Sequence, residues 1–164
     1  MSSRDAAFEA YFAARSDAMR GTAYLLCGDW HRAEDLVQQT FTKLYLAWNR
    51  IQRHESMDNY TRQTLVRTFL SERRRGWFRF ESVGASPSDR PAPASGLADE
   101  RMILQEALLQ VPPRQRAVLV LRYWEDASVE QTAALLDCSV GNVKSQASRG
   151  LQTLRGLLHE EKVR

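Results

Sequence analysis

The sequence predicts an all-α protein: two small helical domains joined by a flexible linker. Three observations carry that expectation. Apolar residues recur at spacings of three and four through both halves of the chain, the period of a helix face. No segment combines sustained alternation with β-branched enrichment, so no strand is expected. Residues 81–98, rich in Pro, Ser, Ala and Gly, carry almost no bulky apolar groups. Such a stretch has too little to bury to offset its ordering entropy, and reads as a tether between units at 5–80 and 99–160. Stretched out, it would reach about 60 Å at roughly 3.3 Å per residue. With 164 residues and 43% hydrophobic content, the chain has room for one domain or two small ones.

In the first unit, Phe8, Tyr11, Phe12, Arg15, Met19, Ala23 and Leu26 trace one face of a first helix. Gly28-Asp29 breaks it, and Asp29 suits the N-cap of the next. From Trp30, the residues Leu36, Val37, Phe41, Leu44, Trp48 and Ile51 continue the helical period. Residues 52–58 read as a loop. Asp58 is expected to cap a third helix whose buried stripe is Leu65, Val66, Phe69 and Leu70. Arg62, Arg67, Arg73, Arg74 and Arg75 fall largely on its exposed side.

In the second unit, Met102, Ile103, Ala107 and Leu108 line a helix that stops at Val111-Pro112. Pro113 suits the first turn of another, where its missing N–H costs little. Asp126-Ala127 is a turn, and Ser128-Val129-Glu130-Gln131 has the capping-box pattern. A short helix to Leu136, a turn at Asp137-Cys138, a cap at Ser139 and a long helix from Val140 to about Leu158 follow. Short helix, tight turn and longer helix are the parts of a helix-turn-helix. Small Ala133 lets the two cross closely, Leu136 and Val143 fill the angle, and Val140 points inward. That leaves Lys144, Ser145, Gln146, Ser148 and Arg149 outward. Lys144 and Arg149 suit guanine edges or phosphates, and Gln146 suits adenine. Asn142 and Ser145, near the helix start, suit phosphate. An ordinary polar face on a bundle helix is the competing reading; the caps, the small Ala and the basic face together favour DNA.

The net charge of +3 hides a segregation. Residues 50–80 carry eight arginines against Glu55, Asp58 and Glu72, and residues 139–164 are also basic, while residues 81–138 are acidic. Two basic blocks across an acidic stretch suggest two contacts on one polyanion. No apolar run approaches the roughly 20 residues that span a bilayer, and Met1-Ser2-Ser3-Arg4-Asp5 lacks a signal-peptide pattern. The expected address is the cytoplasm. Cys27 and Cys138, with scattered His31, His54 and His159, form neither a disulfide framework nor a metal-ligand spacing. The cysteines are either redox handles or small buried residues at a helix end and a turn; their positions favour burial.

At this point the residues resemble a known family. Ala33-Glu34-Asp35-Leu36-Val37-Gln38, continuing through Gln39-Thr40-Phe41, the helix ending Glu72-Arg73-Arg74-Arg75, and Leu119–Leu158 with Ser139-Val140-Gly141-Asn142-Val143-Lys144-Ser145 are similar to bacterial extracytoplasmic-function (ECF) sigma factors. The resemblance covers most of the chain. The Gly76-Trp77-Phe78-Arg79 ending looks most like an actinobacterial group.

The resemblance implies a non-catalytic promoter-specificity subunit with no cofactor. Its partners would be RNA polymerase core, through the β′ clamp helices and β flap, promoter DNA, and an anti-sigma factor that clamps the two units. No membrane insertion is implied. The docking segment would hold Asp35, Gln38, Gln39 and Phe41. Asp35, Gln38 and Gln39 share one helix side and offer acceptors and amides to a basic partner, while Leu36, Phe41 and Leu44 hold the helix on its own domain. A solvated face shared with Arg32 and Lys43 is the competing reading. At the −10 element an unpaired base would be captured, with Arg53, His54, Asn59, Tyr60 and Arg67 as lining and Arg62, Arg73, Arg74 and Arg75 on phosphates. Many relatives have Asn where Arg67 stands, so the captured base is not transferable. At the −35 element, Lys144, Ser145, Ser148 and Arg149 fall on DNA-facing positions. Some relatives have an aromatic residue at the position of Ser148. Trp48 reads as core, and Trp77 is the remaining candidate for a melting wedge.

A free-standing helix-turn-helix repressor would need no docking helix and no second basic surface. An enzyme would need a nucleophile–base pair, a metal cluster or a phosphate-cradling Gly loop, and the sequence shows none.

Overall fold

A computed structural model of the chain describes residues 2–51, 54–74 and 96–163. Every element in them is helical: α1 (Ser3–Cys27), α2 (Trp30–Leu46), a 3-10 turn (Trp48–Arg50), α3 (His54–Arg74), α4 (Gly96–Gln110), α5 (Pro113–Leu119) passing into a π turn (Val120–Trp124), α6 (Val129–Leu136) and α7 (Val140–Val163). Arg53, Arg75, Trp77 and most of the expected tether lie outside the described residues.

Local signals explain most boundaries. Ser2 caps α1 by accepting the Asp5 amide at 3.1 Å. Gly28 closes α1 in the left-handed conformation at φ 75°, its amide on the Tyr24 carbonyl. The Asp29 carboxylate then accepts the His31 amide at 2.8 Å and opens α2. Five expectations need correction. α2 ends at Leu46 rather than running to Ile51, because the Ala47 amide is shared between the Lys43 and Leu44 carbonyls and the chain tightens into the 3-10 turn. Residues 54–58 are helical rather than loop. Asp58 therefore caps nothing; it accepts the Tyr11 hydroxyl at 2.7 Å and pairs with Arg15 at 3.4 Å, tying α3 to α1. Gly96, Leu97 and Ala98, assigned to the tether, already belong to α4, and α7 continues to Val163.

Burial follows most of the apolar periods, but Phe12 of the α1 face and Ile103 of the α4 stripe are exposed. In α1–α3 the core holds Met19, Ala23, Leu26, Leu36, Val37, Leu44, Leu65, Val66 and Phe69. An aromatic cluster of Phe8, Tyr11, Phe41 and Trp48 closes one end, with Phe8 and Trp48 edge to face at 5.5 Å. Trp48 is core, as its helical spacing suggests. In α4–α7 the buried residues are Leu108, Val111, Ala117, Val118, Leu121, Leu136 and Val143. The two sets form one continuous cluster, because the units pack directly on each other. Leu109 of α4 sits on Gly28, where a Cβ would come within 2.3 Å of it.

Candidate nucleic-acid interface

The helix-turn-helix is built by its caps. The Ser128 hydroxyl accepts the Gln131 amide at 3.0 Å, and the Gln131 side chain takes the Ser128 amide at 2.8 Å. Asp137 turns the chain in the left-handed conformation at φ 54°, which an Asp tolerates better than most residues. Ser139 then caps α7 through the Asn142 amide at 3.0 Å. Val143 is fully buried between α6 and α7, and Ala133 is buried at the crossing. Asn142, Lys144, Ser145, Ser148 and Arg149 are exposed, and Gln146 is half-buried. The structure therefore brings these six residues onto one helix.

On α3, Asn59 is exposed, Tyr60 half-buried and Arg67 exposed. His54, Arg73 and Arg74 lie in the first and last turns of α3, their side chains outside the described residues. Tyr60 and Arg67 line one cavity of about 1190 Å³ with Lys43, Arg50, Thr64 and Thr68. That cavity lies at the seam, since Arg114, Leu136 and Asp137 of the second unit close its other side. Lys43 donates to the Thr68 hydroxyl at 2.9 Å, which fixes it against α3. With its amide oxygen turned toward Arg67, Gln63 accepts from both guanidinium nitrogens at 3.1 and 2.7 Å. Arg67 also donates to the Leu135 carbonyl at 3.2 Å, and Arg62 donates to Glu125 at 3.0 Å. Two candidate strand-reading arginines thus meet the second unit.

On α2, Asp35, Gln38 and Gln39 share a shallow hollow of about 390 Å³ with Thr42 and Lys43. Phe41 is not part of that surface. It is only 3% exposed, its ring edge-on to Phe12 at 4.9 Å, so it holds the helix from below.

Burial pushes the Tyr11 phenol up to about 12, opposed by its hydrogen bond with Thr61 and reinforced by Asp58, so it stays a donor. Burial likewise pushes the Cys27 thiol up to about 12. Cys138 is half-buried. No helix of the described residues is long and apolar enough to cross a membrane. Among them, no three His, Cys, Asp or Glu side chains gather as metal ligands.

Three residues escaped the sequence reading. Arg116, buried on α5, donates to the carbonyls of Leu108, Leu109 and Val111 at the end of α4, and to that of Leu26 in α1 at 2.6 Å. It neutralises two helix C-termini at once. An arginine among apolar residues, in Arg116-Ala117-Val118-Leu119, was the available signal. Gly150 lets α7 cross α5: a Cβ there would stand 3.0 Å from Leu119. Glu125 accepts from Thr22 and Arg62 of the first unit, and nothing local in the sequence announces it.

The family profile for sigma-70 region 2 matches residues 4–79, and that for sigma-70 region 4 matches residues 101–154. The chain is similar to the RNA polymerase sigma-E factor of Streptomyces coelicolor, 35% identical over 154 residues, covering 90% of this chain and 84% of that one. It is similar to the ECF RNA polymerase sigma factor SigL of Mycobacterium tuberculosis, 31% identical over 150 residues, covering 84% and 81%. Among solved structures it is similar to the sigma factor RpoE of Bartonella quintana, in complex with the anti-sigma factor NepR. That match has a TM-score of 0.73 and 28% identity, and covers 93% of this chain and 96% of that one.

Proposed function

Because the chain belongs to the ECF group of the sigma-70 family, non-catalytic subunits that direct transcription initiation by RNA polymerase, we propose the following division of labour among its surfaces. The hollow on α2, with Asp35, Gln38 and Gln39, docks on the β′ clamp helices; its acid and amides suit a basic helix. α3 and the residues before it handle the −10 strand. Arg53, His54, Asn59, Tyr60 and Arg67 meet the captured base, and Arg62, Arg73, Arg74 and Arg75 meet phosphates. α7 reads the −35 duplex through Asn142, Lys144, Ser145, Gln146, Ser148 and Arg149, and the second unit also meets the β flap. Residues 5–80 and 99–160 act as the two functional units, joined by 81–98. The chain works in the cytoplasm, where its polymerase is.

The observation that carries this reading is the capped helix-turn-helix whose α7 leaves a basic polar row uncovered. The same geometry would serve a free-standing repressor, but a repressor has no use for the hollow on α2. An anti-sigma factor is a further partner. The Bartonella quintana relative was solved with one, and the similarity to it extends over both units. The test is run-off transcription with purified core on a random promoter library. Transcripts selected by paired −10 and −35 sequences are expected. A chain that fails to join core, yet grips duplex operators alone, would sink the reading.

A further inference from the structure

Arg62 and Arg67 are placed above as contacts to the −10 strand, yet in this structure both are already bonded to the other unit. The carboxylate of Glu125 is 10% exposed and accepts from Arg62 Nε at 3.0 Å. Its other oxygen accepts from the Thr22 hydroxyl on α1 at 2.5 Å. The surrounding turn aims it there. The Glu125 amide closes the π turn on the Val120 carbonyl, and Asp126 takes the left-handed conformation at φ 55°. The Ala127 amide returns to the Leu121 carbonyl, and Arg122 clamps the Ala127 carbonyl at 2.6 Å. Chemically, Glu125 offers Arg62 what a backbone phosphate would: an anionic oxygen at hydrogen-bonding distance, held in place by the Thr22 hydroxyl on the other oxygen. The Leu135 carbonyl offers Arg67 what a base edge would, an acceptor.

We propose that Glu125 is an intramolecular phosphate mimic, a latch by which the second unit covers the −10 reading face of α3 in the free chain. The proposal rests on the placement of Arg62 at the −10 strand. Closed packing and strand binding compete for the same guanidinium, so strand affinity is lowered by the fraction of chains that are closed. Separation of the units on the polymerase releases Arg62 and Arg67 together. Other seam contacts, such as Arg116 on the Leu26 carbonyl and Leu109 on Gly28, involve neither Arg62 nor Arg67.

The experiment uses the full chain and a fluorescein-labelled single-stranded DNA of random sequence. Glu125→Gln keeps the shape and removes the charge. It is expected to bind the strand roughly tenfold more tightly than wild type and to show a larger radius of gyration in solution scattering. Thr22→Val, which removes the second anchor from a buried position away from DNA, is expected to shift both readouts the same way. With core polymerase present, wild type and Glu125→Gln are expected to bind alike. Unchanged strand affinity of both free variants overturns the latch. Failure of the underlying placement is read separately, from Arg62→Ala in the holoenzyme. If that variant leaves open-complex formation unchanged, Arg62 does not serve the −10 strand. If it weakens open-complex formation while Glu125→Gln changes nothing in the free chain, the placement stands and the latch falls.

Discussion

The two helices proposed to meet DNA are presented very differently. α7 shows its polar row to solvent, whereas α3 has two of its arginines bonded to the opposite unit. The difference fits what each is proposed to read. A −35 duplex displays its base edges and phosphates at all times, so a reader of it gains nothing by being covered. A −10 strand exists only after base pairs open, at a cost of a few kcal/mol. A basic surface exposed before then would collect any polyanion by charge alone. On the proposed assignment, the geometry covers the late-acting surface, through Arg62 and Arg67, and leaves the early one open.

The largest effect expected comes from removing the machine that pulls the two surfaces apart. Asp35→Arg with Gln38→Lys changes two exposed residues of the α2 hollow, so folding should be untouched. Like charges facing a basic helix should abolish core association, a loss of at least about 100-fold. Sizing chromatography of the mixture checks this. The comparison sharpens because the same variant should hold −35 duplex as well as wild type does. Retained co-migration with core would mean that docking lies elsewhere.

Next in size is Gly150→Val. Its Cβ would already stand 3.0 Å from Leu119 and 3.5 Å from Gln115, and two further carbons overfill the α5–α7 crossing. A loss of about 1–3 kcal/mol is expected, seen as a lowered melting temperature. It breaks the comparison from one side, because the α7 face should degrade before the α2 hollow does. Gly150→Ala is a milder control, in which a gain in helix propensity opposes the crowding.

Much of this architecture was legible in the sequence, because its signals are local. The Ser128–Gln131 capping box, Pro113 in a first turn, Gly28 as a stop, and the inward set of Val143, Ala133 and Leu136 all follow from spacing and cap chemistry. What escaped acts across the chain. Glu125 meets partners 103 and 63 residues away, and no periodicity reports that. Asp58 looked like a cap because an Asp before an apolar stripe usually is one; a hydrogen bond from Tyr11 gave it another task. In the candidate site, Asp35, Gln38 and Gln39 share one hollow, and the polar row of α7 stands exposed or half-buried. Phe41 shares their sequence segment but faces the core.

A smaller effect separates the two reading faces directly. Arg149→Ala should weaken −35 duplex binding by about 1–3 kcal/mol, the usual worth of a bidentate base contact. The loss should be the same in the free chain and in holoenzyme, because α7 is uncovered in both. Arg62→Ala should cost little in the free chain, where Glu125 already holds the guanidinium, and should act in the open complex. Titration of labelled duplex and of open complexes distinguishes them. Equal transcription from intact and altered −35 sites by both wild type and Arg149→Ala would remove α7 from the reading.

The smallest effect concerns a thiol beside the seam. Cys27 ends α1 between Leu26, whose carbonyl Arg116 holds, and Gly28, on which Leu109 sits. Burial raises its pKa from an ordinary 9.0 to about 12, since the thiolate loses its hydration. At pH 8 the reactive thiolate is then about one part in ten thousand, against roughly one in ten for an exposed thiol. The sign for stability follows. The fold favours the protonated thiol, so its contribution is full below pH 9 and is lost as pH rises toward 12. Iodoacetamide at pH 8 should therefore leave Cys27 unmodified over times that fully label a peptide thiol, with peptide mass spectrometry as the readout. Glu125→Gln should speed the modification, because opening the seam uncovers the end of α1. Rapid labelling in wild type would mean that the seam is already open in the free chain, and that the two reading faces are equally accessible after all.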